Sequence, residues 1–182
     1  IHSCGYYKGS EMAEHAGLIR DLRRQRPLAI ICHNTLHFNG EMIGELQKYA
    51  ANGGHLVTFD QPSVLECDHV IFDRTDSAER AVMHLLELGH RDIGFAMPGI
   101  HQDEIRIAGL RKALKRYGLS VQQDFLFDCE EGMSYEMVGE LMAQQFLKSS
   151  HRPSAICIPD DAVAASFIAT LYQHQVRVPK DL

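Results

Sequence analysis

Residues 155–166, AICIPDDAVAAS, join a short apolar run to small and apolar residues at helical spacing. The first part predicts a buried strand and the second predicts a helix. Two adjacent carboxylates, Asp160 and Asp161, lie at the junction. A helix cap explains one of them, because an aspartate side chain accepts hydrogen bonds from the first backbone amides of a helix. The other carboxylate needs a different explanation.

The same alternation of strand and helix patterns runs through the chain. Strands are predicted at 28–32, 55–59, 69–72, 92–98, 124–128 and 154–158, and helices at 11–25, 41–52, 76–88, 102–117, 134–147 and 161–173. Ser10 and Ser134 are the predicted caps of the first and fifth helices. The continuous apolar run at 28–32 predicts a strand covered on both faces. Short connections between alternating elements predict an α/β fold with parallel sheets.

Composition narrows the class of protein. The 182 residues are 45% hydrophobic and 23% charged, which is typical of a globular protein, and no apolar run is long enough to span a membrane. The net charge of −6 argues against an extended nucleic-acid-binding surface on this chain. Five scattered cysteines without CxxC spacing indicate reduced thiols and a cytosolic protein.

Ligands of parallel α/β proteins bind beyond the carboxyl ends of the strands. More carboxylates lie at the predicted strand ends than capping requires, and carboxylates suit a neutral ligand that is rich in hydroxyl groups. The residues predicted at these ends are His33, Asn34, Asp60, Phe72, Asp73, Met97, Pro98, Asp128 and Asp160.

Three segments carry a resemblance to a known family. HVIFDRTDSAERAVMHLLELGHRDIGFAMPG, RIAGLRKALKRYGL and HRPSAICIPDDAVAASFIATLYQHQVRVPKDL occur in this order between residues 69 and 182. They resemble the effector-binding domain of lactose-repressor-type (LacI/GalR) transcription regulators. The resemblance implies a periplasmic-binding-protein-like fold, in which two Rossmann-like lobes each have a parallel sheet flanked by helices. It also implies that a small-molecule effector lies in the cleft between the lobes.

The resemblance assigns an effector-binding role to four residues. Arg106 matches an arginine that clamps the effector, Asp60 a carboxylate that faces the cleft, and Phe72 an aromatic residue that lines it. Asp160 matches a position that is usually asparagine, and an ionised aspartate can only accept hydrogen bonds. Asp161 is expected to cap the last helix or to place charge at its start. Phe72 is expected to belong to the core as well.

The family pattern also predicts domain organisation and partners. Residues 1–72 are assigned to the N-terminal lobe and 73–182 to the C-terminal lobe, and we expect both lobes to be incomplete and the chain to be truncated at both ends. The helix-turn-helix domain of the family is not expected within this chain. The expected partners are a sugar-like effector, operator DNA through that separate domain and a second copy in a homodimer. No cofactor, metal or enzymatic activity is expected.

Other interpretations remain open at this point. A periplasmic sugar-binding protein of a transport system would share the fold, and a carboxylate-based α/β enzyme would use the same strand ends. His33 and His37 have the spacing of a metal-binding pair on a helix, although they follow a strand. The basic stretch RDLRRQR, residues 20–26, suggests either phosphate binding or a solvated helix face that complements the helix dipole.

Overall fold

Strands and helices alternate along the chain in a computed structural model, which describes residues 12–33, 40–60, 63–100, 103–129 and 132–182. The chain divides into unit 1, Ile1–Phe72, and unit 2, Asp73–Leu182. Each unit contains one three-stranded sheet, and every strand pair in both sheets is parallel. The predicted α/β class with parallel sheets is therefore confirmed. None of the helices within the described residues is long and apolar enough to cross a membrane.

Unit 1 has its strands in the order β1-β2-β3. Its core lies between one face of the sheet and two helices, where Ile30 and Leu56 pack with Leu46 of the second helix. The predicted strand at 28–32 forms one residue later than expected. The elements are α1 (Met12–Arg24), β1 (Ala29–His33), α2 (Gly40–Ala51), β2 (His55–Asp60) and β3 (Asp68–Ile71).

The opposite face of this sheet is not covered by the described residues. Ile31 of β1 is 70% exposed and Val70 of β3 is 56% exposed. The prediction that β1 is covered on both faces is therefore wrong for the described part of the chain. A continuous apolar run shows that a strand tolerates burial on both faces, but it does not show which neighbouring elements supply the cover.

Unit 2 has its strands in the order β5-β4-β6, so β4 is the central strand. Phe95 of β4 packs with α3 and α4, whereas its neighbour Ala96 packs with α5 and α6. Since successive side chains of a strand point to opposite faces, the two helix pairs cover opposite faces of the sheet. The elements are α3 (Arg74–Glu87), β4 (Ile93–Ala96), α4 (Glu104–Arg116), β5 (Leu126–Phe127), α5 (Tyr135–Lys148), β6 (Ala155–Cys157) and α6 (Asp161–Gln173).

The strand predicted at 124–128 is largely replaced by a turn. A 3₁₀-helix occupies Gln123–Phe125, and only Leu126–Phe127 pair with β4. The Phe125 amide donates to the Gln122 carbonyl, so it is satisfied locally. The apolar residues of this segment are buried, as the sequence predicts. Their backbone is mostly a 3₁₀ turn, which the apolar pattern does not predict.

The helix ends follow local sequence signals. Ser134 caps α5, as predicted, by accepting from the amide of Met137. Ser10, the predicted cap of α1, lies outside the described residues. Gly89 and Gly118 follow α3 and α4 with φ of +100° and +70°, a conformation that glycine adopts without a side-chain penalty.

Two helical glycines allow the helix pairs of unit 2 to pack closely. A Cβ atom on Gly109 of α4 would lie 2.2 Å from the Thr75 carbonyl oxygen of α3. A Cβ atom on Gly139 of α5 would lie 2.5 Å from the Val163 carbonyl oxygen of α6. Both obstacles are backbone atoms, so a side chain at either position requires the helices to move apart.

We expect Gly109→Ala to lower the free energy of unfolding by about 1–3 kcal/mol, because the added methyl group overpacks the α3–α4 contact. Gly44→Ala in α2 is the control, since no atom lies within 4 Å of its added Cβ. That variant should be neutral or more stable by up to about 1 kcal/mol through helix propensity. Urea unfolding followed by circular dichroism measures both. Equal effects of the two substitutions would contradict the close packing of α3 and α4.

Candidate functional site

The carboxyl edge of the unit 1 sheet brings together a histidine and an aspartate from neighbouring strands. His33 ends β1 and Asp60 ends β2, and the ring Nε2 lies 2.8 Å from an Asp60 carboxylate oxygen. The His33 ring also stacks on Phe59, with centroids 4.8 Å apart and planes at 14°. Asp60 is 13% exposed, so its carboxylate is largely enclosed and held in one orientation.

Asp60 adopts an unfavourable backbone conformation for its residue type. Its φ is +92°, in the left-handed region that favours glycine. Non-glycine residues in such conformations cluster at functional sites, where the surrounding structure compensates for the strain. The strand pattern alone predicts the position of Asp60, but neither this conformation nor the pairing with His33. Asn34, the adjacent strand-end candidate, lies outside the described residues.

Phe72 lies close to Asp60 through the backbone, because its amide donates to the Asp60 carbonyl at 3.3 Å. Its side chain is 57% exposed. The expectation that Phe72 belongs to the core is therefore wrong, since this residue follows the edge strand β3 rather than a central strand. Its exposed ring is available to cover the apolar side of a ligand.

Arg106 lies in the first turn of α4, after the central strand β4 of unit 2. Its guanidinium donates to the carboxylate of Asp103, and its backbone amide donates to the other oxygen of the same carboxylate at 2.9 Å. Its side chain is 21% exposed. The Arg106 guanidinium is therefore held by a protein carboxylate. Asp103 was not among the predicted site residues. It is the N-cap of α4, and an aspartate just before a helical pattern is a recognisable signal for that role.

The two aspartates of the opening stretch both act at the start of α6. Asp160 is the N-cap of α6, and its Oδ1 accepts from the amides of Ala162 and Val163 at 3.0 Å each. Asp161 is the first helical residue and contributes charge to the first turn. The assignment of the cap to Asp161 is therefore wrong, and its alternative role in charging the helix start fits. The cap uses one oxygen of Asp160.

Asp128, at the end of β5, connects two loops at the same edge. Its Oδ1 accepts from the amide of Gly99 at 2.6 Å and from the amide of Cys129 at 2.8 Å. Gly99 follows β4, so this carboxylate ties the connection after β4 to the end of β5. These contacts give Asp128 a structural role.

The predicted residues divide between the two units, two in each. Asp60 and Phe72 lie at the carboxyl edge of unit 1, whereas Arg106 and Asp160 follow the adjacent strands β4 and β6 of unit 2. Within the described part of unit 2, the Arg106 guanidinium contacts Asp103 and not Asp160. Each of these pairs can offer hydrogen-bond acceptors or donors to a hydroxyl-rich molecule.

Metal and thiol chemistry receive no support from the described residues. Among them there is no group of three or more His, Cys, Asp or Glu side chains placed to hold a metal ion, and His37 lies outside them. Cys67 and Cys157 are free thiols. Burial raises the pKa of the Cys157 thiol from 9.0 to about 11, so this thiol is protonated at neutral pH.

Comparisons with known proteins extend these observations. The family described as "Periplasmic binding protein-like domain" matches residues 82–182. The HTH-type transcriptional repressor PurR of Pectobacterium atrosepticum is 27% identical over 165 residues, which are 88% of this chain and 46% of that protein. The NTD biosynthesis operon regulator NtdR of Bacillus subtilis is 30% identical over 169 residues, covering 89% of this chain and 48% of the regulator. The chain therefore spans about half the length of these relatives.

A solved structure shows the same fold. The LacI family transcriptional regulator from Enterococcus faecium, with bound ribose, superposes with a TM-score of 0.71 at 22% identity. The match covers 90% of this chain and 59% of that protein. The predicted periplasmic-binding-protein-like fold is confirmed by these similarities.

We expect Asp160→Ala to lower the free energy of unfolding by about 0.5–2 kcal/mol, because two amides of the first turn of α6 lose their acceptor. Asp160→Asn should retain most of the stability, since asparagine caps equally well. Asp161→Ala is the matched control and should have a small effect through the helix dipole alone. Urea unfolding measures all three. A larger loss in Asp161→Ala than in Asp160→Ala would show that the cap is Asp161.

We expect Cys157 to resist alkylation by iodoacetamide at pH 8 in the folded protein. With a pKa of about 11, roughly one thiol in a thousand is ionised at that pH, and the thiolate is the reactive form. Mass spectrometry of peptides after timed labelling measures the rate, with the same protein unfolded in urea as the control. Equal labelling rates in the two states would contradict the burial of this thiol.

Proposed function

Because the chain belongs to the periplasmic binding protein-like family, as the effector-binding domain of a LacI/GalR-type transcription regulator, we propose that it senses a small hydroxyl-rich molecule. The regulator relatives and the match over residues 82–182 support this proposal. Arg106 is the observation that carries it. This arginine lies inside the matched segment, at the carboxyl edge of a parallel sheet, where a carboxylate holds its guanidinium.

The chemistry of the two edges favours a sugar or sugar derivative. Asp60 and Asp160 are acceptors for hydroxyl groups, Arg106 is a donor, and the exposed Phe72 ring can cover an apolar sugar face. The Enterococcus faecium regulator was solved with bound ribose, which supports a sugar-like ligand here. We propose Asp60, Phe72, Arg106 and Asp160 as effector-binding residues.

His33 extends this set. Its ring contacts Asp60 and stacks on Phe59, and its side chain is 48% exposed. An imidazole that orients a carboxylate fixes which oxygen lone pairs remain available to a ligand. We propose that His33 positions Asp60 for the effector.

The remaining steps follow from the proposed family role. Residues 1–72 and 73–182 would be the N-terminal and C-terminal lobes, with the effector bound between them. Effector binding would shift the equilibrium between two lobe arrangements and thereby change operator binding by a helix-turn-helix domain. The intact regulator would act as a homodimer, because two-fold operators match two-fold proteins.

The effector itself can be found by thermal shift. A screen of sugars, sugar phosphates, polyols and purines should identify a compound that raises the melting temperature. At 100 times its dissociation constant, a ligand that binds only the folded state adds about 2.7 kcal/mol of stability. Turnover of a stabilising compound, with release of a product, would instead favour an enzyme.

We expect Arg106→Ala and Arg106→Lys to bind that effector about tenfold to over a hundredfold more weakly, because lysine cannot reproduce the paired donors of a guanidinium. Calorimetric titration measures the affinity. Arg111→Ala is the matched control, because Arg111 is an exposed arginine on the same helix. Loss of the partly buried ion pair with Asp103 should also lower the free energy of unfolding of Arg106→Ala, by about 1–3 kcal/mol. Wild-type affinity in both Arg106 variants would remove Arg106 from the proposed site.

A further inference from the structure

A cavity of about 720 Å³ lies in unit 1 at the amino edge of its sheet. The residues that line it come from the last turns of α1 and α2 and from the loops that lead into β1 and β2, so the cavity is at the opposite edge from His33 and Asp60. Its volume is within the range of small-molecule sites, about 300–1,000 Å³. The proposed effector site does not use this cavity.

Three arginines line the cavity. Arg23 contacts Glu45 through Nε at 3.2 Å, which leaves its two terminal amino groups without a partner among the described residues. Arg24 contacts Asp21 through one terminal nitrogen at 3.2 Å and is 70% exposed. Arg26 is exposed, and its guanidinium has no hydrogen-bond or ion-pair partner in the described part of the chain. Many N–H donors therefore remain available at one cavity.

The nearest buried carboxylate does not neutralise these arginines. Glu45 is 5% exposed and lies 2.9 Å from the Lys48 ammonium group, 3.2 Å from Arg23 and 3.6 Å from Arg20. The hydrogen bond from Lys48, opposed in part by desolvation and supported by Arg23, lowers the pKa of Glu45 below 4.5. Arg20 also pairs with Glu41 at 2.8 Å, and Arg24 pairs with Asp21. The surrounding surface therefore holds three carboxylates and five cations, and it keeps an excess of positive charge.

Close contacts of Tyr49 hold the wall of the cavity in place. The Tyr49 ring packs against Gly54 so closely that a Cβ atom there would lie 2.3 Å from the ring. The Tyr49 hydroxyl donates to the Pro27 carbonyl at 2.8 Å, which fixes the loop that carries Arg26. Arg26 adopts φ of +50° and Gly53 adopts φ of +83°, so both loops turn sharply at the cavity.

The helix dipoles give these arginines a simpler structural role. Helices α1 and α2 end beside the cavity, and cations near helix C-termini are stabilising. That role needs charge near the helix ends, but it needs neither a cavity nor a guanidinium without a partner. A bound anion would accept hydrogen bonds from the guanidinium N–H groups that have no other partner in the described part of the chain.

We propose that this cavity binds the phosphate group of a small phosphate monoester. Arginine forks match the paired oxygens of a phosphate, and a doubly charged monoester uses several guanidinium groups at once. A cavity of this size also admits the remaining part of a small molecule. A phosphodiester of DNA offers the same oxygen acceptors, but it carries only one negative charge and is part of a bulky duplex. A monoester therefore suits the cavity better.

The test is a titration of the ¹⁵N-labelled chain with ribose 5-phosphate, observed at the amides of Gly53 and Gly54. We expect saturable shifts of both amides, a similar response to inorganic phosphate at higher concentration and no response to ribose. Arg26→Gln should weaken ribose 5-phosphate binding roughly tenfold or more, because a charge-assisted contact is lost. Arg111→Gln in unit 2 makes the same change of charge and should leave the affinity unaltered.

Each other outcome overturns the proposal. If millimolar ribose 5-phosphate leaves the Gly53 and Gly54 amides unchanged, or if Arg26→Gln and Arg111→Gln have equal affinities, the arginines serve only the helix ends. If a duplex of random sequence shifts these amides and the monoester does not, the surface is a nucleic-acid contact. Binding at the carboxyl edges is distinguished because Arg106→Ala should leave the response of the two glycine amides intact.

Discussion

The burial of β4 on both faces is the constraint on which the larger unit depends. β4 pairs with β5 on one side and β6 on the other, and its four residues are all buried. The helix pairs α3–α4 and α5–α6 must therefore cover opposite faces, and each pair meets at a glycine because the helices approach too closely for a side chain. This arrangement places the starts of α4 and α6 at one edge of the sheet, where Arg106 and Asp160 lie.

The charges of the protein follow the direction of its helices. In a parallel α/β sheet, helices begin near the carboxyl ends of the strands and end near the amino ends. Carboxylates that accept from amides therefore collect at the first edge, as Asp73, Asp103 and Asp160 do. Basic residues collect at the second, where Arg23 and Arg24 end α1. The carboxyl edge of the unit 2 sheet is thus rich in hydrogen-bond acceptors, whereas the amino edge of the unit 1 sheet is rich in cationic donors.

The carboxylates of the candidate effector site are already engaged. Asp60 contacts His33, Asp160 caps α6, and Asp103 holds Arg106. A carboxylate has about four acceptor positions, so these contacts orient the side chains and leave further acceptor positions for a ligand. An effector would therefore meet groups whose orientation is set before binding, which reduces the entropy lost on association.

The sequence alone determined the order of strands and helices, their parallel pairing and the positions of Asp60 and Asp160 at strand ends. Apolar periodicity, glycine stops and short connections are local signals, and they were sufficient for these features. Only the tertiary structure decided which side chains meet. His33 and Asp60 are 27 residues apart in the chain, and their contact depends on the register of β1 with β2. The exposure of Phe72 and the cavity beside Arg26 depend likewise on which elements lie next to them, and no local pattern specifies those neighbours.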